Sequence, residues 1–225
     1  MADLKIRRLE RAAGAGDPSA QGQLLLERVR AGELPRERVQ IAAALGHAAS
    51  CVALGRAPLP EIPELDDWLH ELDHYGREPL IRAAVAAGQC VWPCLAGGVD
   101  ELVQPFLDAL EAAEAWLAQP REATRIQARL LGGEAQEKAR RLAGEPQEST
   151  GLDDDAVFAA EVLARVAQAA GSLKWEDLEQ RAHEAIHWAI AHDDETPEPI
   201  AEEIRQRVLG WALSHVVPQP TNQAE

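Results

Sequence analysis

Aromatic side chains are scarce in this sequence, at 4% of 225 residues, although hydrophobic residues in total reach 46%. Ala, Leu and Val therefore supply the apolar surface, and such side chains favour helices packed closely on one another over a sheet. Basic residues are short too: 22 stand against 38 acidic ones, for a formal charge of -16. That field repels nucleic-acid phosphates and anionic lipid, which argues against both as direct partners and for a basic protein partner. No apolar run approaches the ~20 residues a membrane span needs, and the opening MADLKIRRLERAAG lacks the apolar core of a signal peptide. A cytoplasmic protein is expected.

Cysteine is nearly absent. Cys51, Cys90 and Cys94 are too few for a disulfide framework, and an odd number leaves at least one unpaired. The pair in CVWPC has neither the redox C-x-x-C spacing nor that of a common zinc knuckle, so reduced thiols that pack as small hydrophobes are expected. G-x-S-x-G, a Walker loop and G-x-G-x-x-G are all missing as well. The Gly pairs at 97–98 and 132–133 read instead as helix stops.

What is present is helical punctuation. Asp17 followed by Pro18 is an N-cap with Pro at the first helical position, and Pro35 opens PRERVQIAAALG in the same way. Gly16, Gly32, Gly46 and Gly55 mark ends. Short helices joined by tight turns over residues 1–57 suggest stacked hairpins of HEAT or Sel1 type, although no second full copy recurs at a fixed period. APLPEIPELD, with Pro58, Pro60 and Pro63, interrupts helix and reads as a linker. An Ala-rich helical bundle is expected over 64–215, with helices near 64–75, 77–92, 99–118, 121–143 (broken near Gly132 and Gly133), 153–170, 173–192 and 197–213. Residues 144–151 read as a polar loop and 216–225 as a disordered tail. Asp153 to Asp155 suit a helix N-terminus, and the six Trp residues read as core anchors.

Two stretches carry possible chemistry. HELDH, His70 to His74, matches H-E-x-x-H, and HEAIH, His183 to His187, matches it again. Two His four apart share one helical face and can share a zinc ion, while the Glu beside the first acts as general base on metal-bound water. Composition alone predicts roughly 0.02 such matches. The candidate metal ligands are His70, Glu71, His74, His183, Glu184 and His187, with zinc as the implied cofactor. The same letters contain E-x-x-H twice, the di-iron bundle signature, which Glu37, Glu111, Glu114 or Glu161 could complete.

Helical geometry weighs against both metal readings. Leu65, Trp68, Leu69, Leu72 and Tyr75 form the apolar stripe of the first helix, and His70 and His74 lie roughly 160° from its centre. In the second, Leu178, Ala182, Ala185, Ile186 and Ala189 form the stripe, with His183 roughly 110° and His187 roughly 150° away. An outward motif cannot build an inward cage. The metzincin position after HELDH is Leu80, and beyond HEAIH only His192 or Asp193 could serve as third ligand. A solvated polar face with no cofactor is the favoured reading of both motifs.

LERAAGAGDPSAQGQLLLERVRAGEL, continuing through IAAALGHAASCVALG, resembles an N-terminal helical module of uncharacterised bacterial proteins. GREPLIRAAVAAGQCVWPCL followed by ALEAAEAWLAQP, with Trp116 closing an A-x-x-A-x-x-W-like run, resembles the Ala-rich all-helical domain of bacterial immunity proteins. The resemblance implies a protein without chemistry of its own, one that neutralises or regulates a partner by occupying its surface. The expectation is thus an all-α, acidic protein-binding factor, with a metal-binding protein or metal-dependent hydrolase as the rival and a structural homo-oligomer as a third reading.

Overall fold

The computed structural model describes residues 9–96, 98, 100–145, 151–191 and 197–214. Among these, every element is α-helical and no strand is present. The helices are α1 (9–14), α2 (Pro18–Arg30), α3 (Arg36–Ala44), α4 (Ala48–Ala53), α5 (Leu65–Asp73), α6 (Arg77–Leu95), α7 (Asp100–Ala118), α8 (Glu122–Gly144), α9 (Asp154–Gly171), α10 (Trp175–Ala191) and α11 (Pro197–Leu213). The chain divides into two compact units, one up to Leu72 and again from Leu209, the other from Asp73 to Val208. The division falls inside α5 and α11, so the proline-rich stretch lies within the first unit instead of bounding it. The expected loop at 146–150 and the expected tail at 216–225 lie outside the described residues.

In the first unit the punctuation acts as read for α2, while Pro35 stands one position earlier than expected. Asp17 accepts a hydrogen bond from the Ser19 backbone N–H at 2.9 Å and caps α2, while Pro35 is itself the N-cap residue of α3. Gly16, Gly32, Gly46 and Gly55 take φ between 71° and 85°, the left-handed region that closes a helix without a Cβ penalty. Leu25, Leu34, Val39, Ala49 and Ala53 make the core. A Cβ on Gly22 would stand 2.8 Å from the Ala49 carbonyl, so the absence of a side chain lets α2 lie directly on α4. Leu213 packs on this core, Arg28 donates to the Leu213 carbonyl at 3.0 Å, and Arg38 covers the Trp211 ring at 4.5 Å. The last turn of α11 is thereby held by α2 and α3.

The second unit is organised around α9, which touches α6, α7, α8 and α10. Buried residues occur on every side of it, from Ala156 through Val162, Leu163 and Val166 to Ala170, as in a helix enclosed by others. Its contact with α8 runs along Ala128, Gly132, Ala135, Ala139 and Leu142, spaced alternately four and three residues. A Cβ on Gly132 would meet the Gln168 nitrogen at 2.8 Å, and one on Gly171 would meet Arg129 Cα and N at 2.5 Å. Gly132 and Gly133 therefore do not stop α8. The helix continues through them because its hydrogen bonds are unbroken and its missing side chain is needed for α9.

Two further expectations are corrected here. Trp68 and Trp116 are buried, but Trp92, Trp175, Trp188 and Trp211 are only half-buried. Cys51 is buried, Cys90 is half-buried and Cys94 is exposed, so Cys94 is no packing residue. It sits on the last turn of α6, one residue past Pro93, where the helix face turns outward.

Candidate functional site

The second motif is embedded in side-chain contacts. The α10 stripe from Leu178 to Ala189 is buried, which sets His183 and Glu184 at its margin and leaves His187 exposed. Glu184 accepts from Arg165 Nε at 3.2 Å through one oxygen and from Gln180 at 2.8 Å through the other. Arg165 also bonds Glu161 at 2.9 Å, and its guanidinium lies 3.7 Å from the centre of the Trp188 ring, itself stacked on Phe158 at 5.6 Å. A general base needs a carboxylate oxygen open to the water it deprotonates, and both oxygens of Glu184 are engaged. His183 Nε2 lies 3.1 Å from Asp73 Oδ1. Its ring centre is 6.4 Å from that of His187, wider than the ~5 Å expected for two imidazoles on one tetrahedral zinc.

The first motif has a different environment. Trp68, Leu69 and Leu72 are buried as the helical stripe requires, and His70, Glu71 and His74 are exposed. Asp73, within HELDH, meets His183 of HEAIH. Leu80 is fully buried, whereas His192 and Asp193 lie outside the described residues. Of the carboxylates that could complete a di-iron set, Glu37 and Glu111 are exposed, Glu114 accepts from Gln89 at 2.7 Å and Glu161 is held by Arg165. Among the described residues, no three His, Cys, Asp or Glu side chains gather as metal ligands. The described residues do not fit a zinc or di-iron centre.

Glu71 has another setting. It lines a pocket of about 510 Å³ in the first unit, walled by α3, α4, α5 and the proline-rich strap. Leu59 and Ile62 of the strap stand 47% and 59% exposed there, two of the five exposed large apolar side chains among the described residues and the two that share this pocket. Glu61, Glu64 and Asp67 complete the acidic margin, with Arg56 the one cation among the lining residues. Reading APLPEIPELD as a linker missed this site. The signal available was apolar Leu59 and Ile62 between prolines that forbid both helix and ladder hydrogen bonds, directly before an acidic helix.

The cysteines offer little nucleophilicity. Partial burial pushes the Cys90 thiol up, Arg207 opposing and Glu203 adding to it, and burial followed by the charges of Asp155 and Asp153 pushes Cys94 up as well. Raised thiols are mostly protonated at neutral pH and react slowly. Asp153 itself caps α9 by accepting from the Ala156 N–H at 2.8 Å.

Comparison with family models, with curated proteins and with solved structures found no match to this chain.

Proposed function

We propose that this chain is a non-catalytic, immunity-like protein-binding factor, bacterial and cytoplasmic, that neutralises or regulates a basic partner through its acidic helical surface. Its N-terminal hairpins serve as a HEAT- or Sel1-like module. The observation that carries the reading is a pocket margin of four carboxylates, Glu61, Glu64, Asp67 and Glu71, with Arg56 the one cation among the lining residues. Outside the pocket, Glu27, Glu78, Glu122, Glu137, Glu161, Glu184, Glu202 and Glu203 each pair with an arginine, whereas single exposed acids such as Glu101, Glu111 and Glu134 stand apart from the pocket. Among the described residues, Glu61, Glu64, Asp67 and Glu71 have no ion pair. An uncompensated acidic face accelerates encounter with a basic protein and discriminates against acidic ones. No helix among the described residues is long and apolar enough to cross a membrane.

The test has two arms. Full-length chain, used as bait in extract of its own cells at about 0.15 M salt, should retain a basic protein that reconstitutes a stoichiometric complex when both are purified. Elemental mass spectrometry of untagged protein, prepared without added metal, should give well under one metal per chain. Stoichiometric zinc that disappears in a His183→Ala, His187→Ala variant would overturn the proposal.

A further inference from the structure

Resting on the protein-binding reading, we infer that the groove between the proline-rich strap and α5 is the docking site for a basic amphipathic segment of the partner. Three observations converge. Leu59 and Ile62 face one groove from a strap that Pro60 and Pro63 hold without helix, so the apolar anchor points are set before anything binds. Glu64, just ahead of α5, and Asp67 and Glu71 within it recur at i, i+3 and i+7, a spacing that sets them on one side of the helix over about 10 Å. Glu71 stands in the last turn of α5, where a carboxylate opposes the helix macrodipole, and no ion pair with a described residue offsets it. Local stability does not account for an unpaired acid at that end.

The occupant follows from these dimensions. Lys or Arg at i, i+3 or i+4, and i+7 of a helical segment would register with the acidic row, while apolar residues on its adjoining face would cover Leu59 and Ile62. Arg56 is the one cation lining the groove, so an acidic segment would meet four carboxylates there.

The probe is the fluorescein-labelled peptide LKKLLKLLKKLLKL, titrated with full-length chain by anisotropy at about 0.15 M salt. Glu64→Gln, Asp67→Asn and Glu71→Gln together should weaken binding about tenfold, and Leu59→Ser with Ile62→Ser by a similar factor. Glu101→Gln, Glu111→Gln and Glu134→Gln remove the same charge from exposed positions in the second unit, and should change affinity by less than about twofold. An equal loss from both charge triples, or no loss from the apolar pair, would overturn the assignment as unspecific attraction. Leu4→Ser with Ile6→Ser, neutral in charge, should leave affinity unchanged. A gain there would give the groove to this chain's own basic residues Lys5, Arg7 and Arg8, and self-association abolished by Ile62→Ser would give it to a second copy. Either result overturns the partner assignment. If the reconstituted partner binds groove variants and parent equally, the groove assignment falls while the protein-binding proposal stands.

Discussion

HELDH and HEAIH share a five-letter pattern and have opposite fates. Glu184 of HEAIH has both oxygens engaged, by an arginine stacked on Trp188 and by Gln180, whereas Glu71 of HELDH lines an open groove without an ion pair among the described residues. The difference is not in the motif. It lies in what the neighbouring helices present: α9 brings Arg165 to α10, while the strap beside α5 brings Leu59 and Ile62. A motif names side chains that could act together, and the surrounding fold determines whether they are bound down or available.

The sharpest way to break this contrast is to remove the frame beneath HEAIH. Gly171→Ala places a methyl 2.5 Å from Arg129 backbone atoms. It should cost about 3 kcal/mol despite alanine's better helix propensity, because backbone cannot step aside as a side chain can. Gly133→Ala meets nothing within 4 Å and should instead gain about 0.5–1 kcal/mol. Urea unfolding of both variants checks the pair of signs.

Arg165→Ala should cost about 2 kcal/mol, since it leaves Glu161 and Glu184 facing each other without a cation and uncovers Trp188. Tryptophan emission should change along with the denaturation midpoint. His70→Ala and His74→Ala, at exposed positions, should stay within about 0.5 kcal/mol of the parent. A cost as large as that of Arg165→Ala would show HELDH to be as embedded as HEAIH.

The two glutamates can be compared directly. Glu184→Gln should destabilise by about 1 kcal/mol through the lost charge-assisted bond to Arg165. Glu71→Gln should be neutral or gain about 0.3 kcal/mol, because it removes a carboxylate from the wrong end of a helix. Differential scanning calorimetry would read both, and equal costs would sink the contrast.

The smallest effect concerns Glu202, an exposed counterpart to Glu184. The hydrogen bond from Arg205 holds its carboxyl below the usual carboxylate range. A depressed carboxyl stabilises fully above the unfolded value of about 4.3 and loses that contribution as pH falls through the folded one. Its side chain is 43% exposed, so solvent screening limits the pair to a few tenths of a kcal/mol. The stability difference between parent and Glu202→Gln should therefore be small near neutrality and vanish in acid.

Much of the secondary structure was legible in the letters, because caps and periodicity are local. Asp17, Asp153 and the left-handed Gly16, Gly32, Gly46 and Gly55 end or begin helices through bonds to residues within a turn of themselves. The outward direction of His70, His74 and His187 followed from the apolar stripes for the same reason. Gly132 was misread as a stop because its cause is another helix: the space it leaves is taken by Gln168 and Ala167 of α9. The half-buried Trp188 was misread as a core anchor because periodicity records which face is apolar, and not that Arg165 and Phe158 enclose that ring.

By itself the sequence determined that the chain is helical, acidic, rich in small apolar residues and punctuated where it is, since each of these depends on composition or on neighbours a few residues apart. Only the tertiary structure decided that Asp73 meets His183 across 110 residues, that Arg28 meets Leu213 across 185, and that Glu71 shares a groove with Leu59 and Ile62. Those pairings depend on how whole helices pack. Packing is set by the summed fit of many small side chains, and no local pattern encodes that sum.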